Sequence, residues 1–162
     1  MSIVVFLMLP ILGFIFYQDI MFRKVSVILF PLFLLLTLSL SLQTQNLEAV
    51  AVKSLINSLY LLLLIGVSYF YFYAKHGIRK ISGVLGAGDL LFLFCITSLF
   101  DLPQFIFFTT FSFIASLGIH FLMRSVFAFY RIQTTVPLAG YLSLCLGARI
   151  LIGVGGENMM IL

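Results

Sequence analysis

The stretch Gly83–Phe94, GVLGAGDLLFLF, places three glycines and the carboxylate of Asp89 directly before one of the most apolar runs of the chain. The apolar run predicts a helix that enters a membrane. The glycines predict a bend before it, where another backbone can approach closely. A carboxylate at the edge of a membrane span is costly to bury, so Asp89 is a candidate functional residue.

The composition around this stretch is that of an integral membrane protein. Of the 162 residues, 63% are hydrophobic and only 9% are charged, and the mean hydropathy is +1.25. Soluble domains are about half apolar and about a quarter charged. We therefore expect a single membrane domain over residues 1–162. The first apolar run has neither a basic start nor a cleavage site after it, so we interpret it as a retained span.

The apolar runs predict an all-α bundle of about six transmembrane helices. A bilayer core of about 30 Å requires about 20 apolar residues per helix, and a helix satisfies its own backbone hydrogen bonds. The predicted spans are Ile3–Ile20, Val25–Leu42, Ser54–Tyr73, Asp89–Phe100, Phe105–Met123 and Val136–Val154.

The basic residues predict the orientation of this bundle. The first, third and fifth connections between the predicted spans carry seven Lys or Arg residues in total, whereas the second and fourth carry only Lys53. The positive-inside rule then places the odd connections in the cytoplasm and both termini outside. The net charge of +4 is thereby assigned to topology, and no nucleic-acid partner is expected. Arg149 fits this pattern poorly and is expected to extend outward or to pair with Glu157.

The acidic residues divide between the two ends of the predicted bundle. Asp19 and Asp89 fall at the cytoplasmic end, whereas Glu48, Asp101 and Glu157 fall at the other end. Two carboxylates brought close together share one proton more readily than both ionise. The charged member can take a proton from water while the protonated member polarises a carbonyl group. Such a pair hydrolyses a peptide bond without a covalent enzyme intermediate.

Three segments resemble a known family. The sequence GAGD, ending at Asp89, resembles the GxGD motif of intramembrane aspartic proteases. The sequence DIMFRKVS, starting at Asp19, is similar to the first aspartate motif of the type IV prepilin peptidases, in which an arginine-led pair follows three residues later. The sequence VPLAGYLSLCLG, starting at Val136, is similar to the proline-bearing last span of that family.

The resemblance implies a protease of the inner (plasma) membrane that removes the leader from type IV prepilins or pseudopilins at the cytoplasmic face. Whether it serves a type IV pilus, protein secretion or DNA uptake is left open. It implies Asp19 and Asp89 as the catalytic pair, and no cofactor. Residues implied to shape the site or to contact substrate are Gly86, Gly88, Arg23 and Lys24.

The chain also departs from the family pattern. It lacks the N-terminal cysteine-bearing domain of many bacterial members, so only the peptidase part is implied. Ser26 stands where proline is common, and Leu90 and Leu91 stand where a lysine is often found. These departures leave the substrate open and allow a divergent or inactive homologue.

Other interpretations of the same residues remain open. Asp89 can serve as a helix N-cap, and Asp19 can form an ion pair with Arg23 one turn later. A small proton-coupled carrier also uses membrane carboxylates and broken helices. A non-catalytic assembly subunit is a third possibility. The oligomeric state is not predicted.

The remaining chemistry-bearing residues have structural interpretations. His76 and His120 are too few for a zinc site, so no metal is expected. Cys95 and Cys145 are interpreted as small packing residues. Three glycines are expected where helices approach closely, namely Gly118, Gly140 and Gly147.

Overall fold

The computed structural model describes residues 3–76, 86–126 and 137–155. Within these ranges the chain forms six α-helices and no strand, which confirms the predicted all-α bundle. The helices are α1 (Ile3–Phe22), α2 (Leu29–Thr44), α3 (Leu47–His76), α4 (Ala87–Cys95), α5 (Leu102–Val126) and α6 (Leu138–Gly155).

The helices differ in how far they can reach across a bilayer. Three of them, α1, α3 and α5, are long and apolar enough to cross a membrane, and α2 and α6 contain shorter apolar stretches. Helix α4 has only nine residues, or about 14 Å, which is roughly half of a bilayer core. The predicted fourth span was to continue to Phe100, so its end is wrong by five residues. Helix α3 begins seven residues before the predicted Ser54.

The most extensive helix pair joins the first and last helices of the chain, α1 and α6. One face of α1 is buried at intervals of three or four residues, the spacing of a single helical face. Its buried residues are Val5, Met8, Leu12, Ile15 and Asp19. Helix α6 contributes Leu142, Leu146 and Ile150 to the core. Asp19 is thus the last member of an otherwise apolar stripe, and the packing of α1 points its carboxylate inward.

Helix α4 ends at Cys95, and the non-helical backbone that follows is held by polar side chains of α2 and α3. Thr37 Oγ1 donates to Cys95 O at 2.8 Å, and Ser41 Oγ donates to Ser98 O at 2.7 Å. Irregular backbone is tolerated at membrane depth only where protein or a watery cavity satisfies its hydrogen bonds. These two hydroxyls supply that satisfaction from α2.

Helix α3 supplies the third polar side chain that binds this non-helical backbone. Asn57, which is fully buried, donates from Nδ2 to Thr97 O at 2.8 Å and to Phe100 O at 2.6 Å. One amide side chain therefore satisfies two carbonyl groups of the non-helical segment between α4 and α5.

Aromatic contacts complete the packing around α4. Phe33 of α2 stacks on Phe92 with ring centroids 5.3 Å apart, and Phe100 stacks on Phe108 of α5 at 5.0 Å. The guanidinium of Arg149 lies 4.7 Å from the centroid of Phe100. Arg149, which is half-buried, therefore makes a cation–π contact with the segment that follows α4. Its predicted partner Glu157 lies outside the described residues.

Helix α3 packs on the bundle with one half only. Its buried residues are Val50, Asn57 and Leu61, and none of the residues from Leu62 to Lys75 is buried. The second half of α3 thus runs beside the bundle with its apolar side chains exposed, as expected of a helix in contact with lipid.

The predicted close glycine contacts are confirmed at two of three positions. A Cβ atom at Gly140 or Gly147 would contact α1, whereas one at Gly118 would meet no described atom within 4 Å. Cys95 and Cys145 are both free thiols, and Cys95 is buried, as expected of a packing residue.

Candidate active site

Asp19 lies in the last turn of α1, immediately before the chain reverses direction. Helix α1 ends at Phe22, and Arg23 adopts a left-handed conformation with φ of 54°. The backbone N–H of Arg23 donates to Asp19 O at 3.1 Å, which is the hydrogen bond of an αL helix terminus. The N–H of Ser26 then donates to Gln18 Oε1 at 2.9 Å and ties the turn back to the helix.

Asp89 lies in the first turn of α4, three residues after the N-cap residue Gly86. Its carboxylate accepts a hydrogen bond from the backbone N–H of Gly86. An acidic side chain that reaches back to the N-cap N–H is one half of a capping box. The N-cap interpretation of Asp89 is therefore wrong as to position, because Gly86 is the N-cap and Asp89 caps the helix from its third residue.

The start of α6 brings the two aspartates together. The N–H of Ala139 donates to Asp89 Oδ1 at 2.7 Å, and the N–H of Gly140 donates to Asp19 Oδ2 at 2.6 Å. These amides belong to the first turn of a helix, where N–H groups have no helical partner and the helix dipole favours negative charge. Two neighbouring amides of one helix thus bind the carboxylates of two other helices.

This arrangement limits the separation of the two carboxylates. Because adjacent backbone nitrogens in a helix are about 3 Å apart, the bonded oxygens of Asp19 and Asp89 are no more than about 8 Å apart. The two side chains interact electrostatically, and Asp19 also interacts with the charge of Arg23. Asp19 is 8% exposed and Asp89 is half-buried, so the pair is reached from the side of Asp89.

Two glycines make this approach possible. A Cβ atom at Gly140 would lie 3.1 Å from Asp19 Oδ2 and 3.2 Å from Asp19 Cβ, closer than ordinary contacts allow. A Cβ atom at Gly86 would lie 2.8 Å from Asp89 Oδ2. The backbone at Gly86 has a φ of −67°, so the requirement for glycine there is space and not conformation.

Two other predicted site residues, Gly88 and Lys24, lie in different surroundings. A Cβ atom at Gly88 would make an ordinary contact of 3.7 Å with the Phe30 ring, so Gly88 packs against α2 and not against Asp89. Lys24 is exposed in the turn after α1. Leu90 and Leu91 begin the helical run after Asp89, and Leu91 is exposed.

The part that sequence reasoning missed is the first turn of α6. Gly140 was expected only as a helix contact, and Ala139 was not singled out. The sequence did contain a signal that Asp19 is buried, because Asp19 continues the three- and four-residue spacing of the buried face of α1. A buried carboxylate needs donors, and a helix start after Pro137 supplies two of them.

The two histidines belong to helices other than those that carry the aspartates. His120 is buried in α5, and His76 is the last residue of α3. Among residues 3–76, 86–126 and 137–155 no group of three or more His, Cys, Asp or Glu side chains is placed to hold a metal ion.

Comparison with known proteins identifies no relative. No protein-family model matches the chain, and neither a curated protein nor a solved structure shows significant similarity to it. The inferences about function below therefore depend on the residues, their geometry and the three motifs.

Proposed function

We propose that this chain is a membrane aspartic endopeptidase of the prepilin peptidase type. It removes the leader of a type IV prepilin or pseudopilin by activating a water molecule between Asp19 and Asp89. The observation that carries the proposal is the pair of neighbouring amides, Ala139 and Gly140, which bind both carboxylates. Two acids from separate helices meet there. Along the chain, Asp19 of the first aspartate motif precedes Asp89 of the GxGD motif, which is the order of the family that the chain resembles.

The chemistry uses one proton held by the pair. The ionised carboxylate takes a proton from water as the water oxygen attacks the scissile carbonyl carbon. The protonated carboxyl group donates to the carbonyl oxygen, and the amide nitrogen is protonated as the C–N bond breaks. The products are a carboxylate and a protonated amine (an ammonium group), and the pair again holds a single proton. Each aspartate has one oxygen on an α6 amide, which orients the carboxylates for this exchange.

The surroundings of Asp89 suit a peptide backbone. Gly86 and Ala87 are exposed beside the carboxylate and present almost no side chain. An extended segment can therefore approach Asp89 closely. The hydrophobic helix that follows the cleaved bond is proposed to pack alongside the exposed second half of α3.

The proposed location is the inner (plasma) membrane, with the aspartates facing the cytoplasm and both termini outside. The end of the bundle that carries the aspartates also carries Arg23 and Lys24, while Lys53 lies with Asp101 at the opposite end. Basic residues are enriched at the cytoplasmic ends of membrane helices.

The carrier alternative has less support. Broken helices in carriers use their unwound carbonyl groups to bind the coupling ion. Here carbonyl groups after α4 accept hydrogen bonds from Thr37, Ser41 and Asn57, so the break serves packing. An inactive homologue differs from an enzyme only in activity, which the following experiment measures.

The test is cleavage of a tagged prepilin co-expressed with the parent chain or with a variant. Asp19→Asn and Asp89→Asn keep the shape of the side chains and remove the proton exchange. We expect leader removal by the parent and a loss of at least about 1,000-fold in rate for either variant, because the residues act as a unit. Glu157→Gln, a carboxylate replacement outside the described residues, serves as the control and should cleave normally.

Protein levels in the membrane separate chemistry from folding. Normal insertion with no cleavage supports the dyad. Cleavage by Asp89→Asn at the parental rate contradicts it. Loss of the inserted protein in both variants would instead favour purely structural roles, namely helix capping by Asp89 and ion pairing by Asp19.

A further inference from the structure

A groove of about 440 Å³ lies at the end of the bundle opposite the aspartates, between the starts of α3 and α5. Three charged side chains line it: Glu48 and Lys53 from α3, and Asp101 directly before α5. None of them belongs to the proposed catalytic pair, and the resemblance to peptidases assigns no role to this groove.

Lys53 is the unusual member of this set. Its side chain is only 10% exposed, and its ammonium group forms an ion pair with the carboxylate of Asp101 at 3.8 Å. The side chain of Asp101 is 64% exposed. That distance is at the long end for an ion pair, since charge-assisted hydrogen bonds are usually about 2.7–2.9 Å long. An ammonium held by one distant, solvated carboxylate has capacity for a second anion.

The charges of the groove favour a zwitterion over a simple anion. One ammonium stands against two carboxylates, Glu48 and Asp101, so an additional anionic group alone would leave an excess of negative charge. A ligand that carries an anion and a cation a few bonds apart pairs with both signs at once.

The rest of the lining is apolar and continues into the lipid-facing surface. Val52, Ile56 and Leu102 line the groove, and Val52 and Ile56 are exposed. Leu59 and Leu63 extend the same exposed apolar surface along α3. A charged head beside Lys53 with an apolar chain along α3 is the shape of a membrane phospholipid.

We propose that this groove binds a phospholipid whose headgroup carries a phosphate and a primary amine, such as phosphatidylethanolamine. The phosphate pairs with Lys53, the amine donates hydrogen bonds to Glu48 and Asp101, and one acyl chain lies along α3. The site is independent of the proposed peptidase activity.

The experiment uses the purified full-length chain and native mass spectrometry. The protein is titrated with phosphatidylethanolamine, phosphatidylcholine and phosphatidylglycerol that carry identical acyl chains. The three lipids share the phosphate and differ in amine donors and net charge. Lys53→Met and Glu48→Gln are compared with Lys75→Met, which removes an exposed lysine near the other end of the same helix.

We expect the parent and Lys75→Met to bind phosphatidylethanolamine about tenfold more tightly than phosphatidylglycerol, the difference of roughly one charge-assisted hydrogen bond. Phosphatidylcholine should bind less tightly than phosphatidylethanolamine, because its methylated amine donates no hydrogen bond. Lys53→Met should weaken all three lipids about tenfold. Glu48→Gln should keep the phosphate interaction and narrow the preference for the primary amine.

Three results would overturn the proposal: equal binding of the three lipids by the parent, unchanged binding by Lys53→Met, or an unchanged preference in Glu48→Gln. If Lys53→Met does not fold, Glu48→Gln alone decides, because Glu48 is exposed and its replacement leaves the packing intact. A lipid-free dimer that Glu48→Gln separates into monomers would assign the groove to a second copy and would also overturn the proposal.

Discussion

At the scale of single residues, the candidate site depends on what is absent from two positions. Gly140 and Gly86 each lack a Cβ atom that would meet a carboxylate. Both carboxylates are held by backbone amides, so the side chains that shape this site are small ones. A change at either glycine therefore tests the site without removing any acid.

The first prediction concerns Gly140. In Gly140→Ala the new methyl group lies 3.1 Å from Asp19 Oδ2, so α6 must move away from α1 or Asp19 must rotate. We expect a loss of about 1–3 kcal/mol in stability, the usual cost of overpacking, and a loss of cleavage. Thermal unfolding in detergent and prepilin cleavage measure the two effects. Gly147→Ala is the control on the same helix pair, since its methyl group would lie 4.0 Å from Leu12. Equal behaviour of the two variants would refute the close approach at Gly140.

The second prediction separates the two glycines of the GAGD motif. In Gly86→Ala the methyl group lies 2.8 Å from Asp89 Oδ2, so the carboxylate, whose Oδ1 accepts the hydrogen bond from Ala139, must shift. We expect cleavage to fall at least about tenfold, the effect of about 1.4 kcal/mol at the transition state. Gly88→Ala meets only the Phe30 ring at 3.7 Å and should stay active. It should also gain roughly 0.5–1 kcal/mol in stability, because alanine favours the helix. A greater loss of cleavage in Gly88→Ala than in Gly86→Ala would contradict this assignment.

At the scale of elements, α4 is a short helix whose end is stabilised by its neighbours. Nine residues do not cross a bilayer, and the backbone after Cys95 leaves carbonyl groups at membrane depth. Thr37, Ser41 and Asn57 satisfy them from two helices. The position of Asp89 at the other end of α4 therefore depends on polar side chains that touch neither aspartate.

The third prediction tests this support. Asn57→Leu keeps the number and branching of the side-chain heavy atoms and leaves Thr97 O and Phe100 O without their donor. We expect a loss of about 1–3 kcal/mol in stability, the cost of an unsatisfied buried polar group. The measurement is unfolding in mixed micelles. Ser68→Ala on the same helix is the control, because Ser68 bonds only the carbonyl of Leu64 in its own helix. Equal stabilities for the two variants would show that Asn57 does not hold the end of α4.

At the scale of the whole molecule, charge and site chemistry are distributed between the two ends of the bundle. One end carries Asp19, Asp89 and the start of α6, and the other carries the groove with Lys53. If the aspartates face the cytoplasm, the groove faces the opposite leaflet.

The fourth prediction tests this orientation in cells. Lys24→Cys and Glu48→Cys place single exposed thiols at the two ends, in a background where Cys95 and Cys145 are replaced by alanine. A membrane-impermeant maleimide added to intact cells should label Glu48→Cys and spare Lys24→Cys. Permeabilised cells should show labelling of both. The reverse pattern in intact cells would place the aspartates outside and remove the cytoplasmic leader peptide as a substrate.

The sequence alone was sufficient for the membrane class, for six helices in order and for the helix-end placement of Asp19 and Asp89. These features follow from local properties, because the length and hydropathy of a run decide whether a segment is a membrane helix. Only the tertiary structure decided that α4 stops at Cys95, that Gly86 and not Gly88 touches Asp89, and that Ala139 and Gly140 bind both acids. Those outcomes depend on how helices rotate and approach one another, and a carboxylate finds its donors only after the helices have packed.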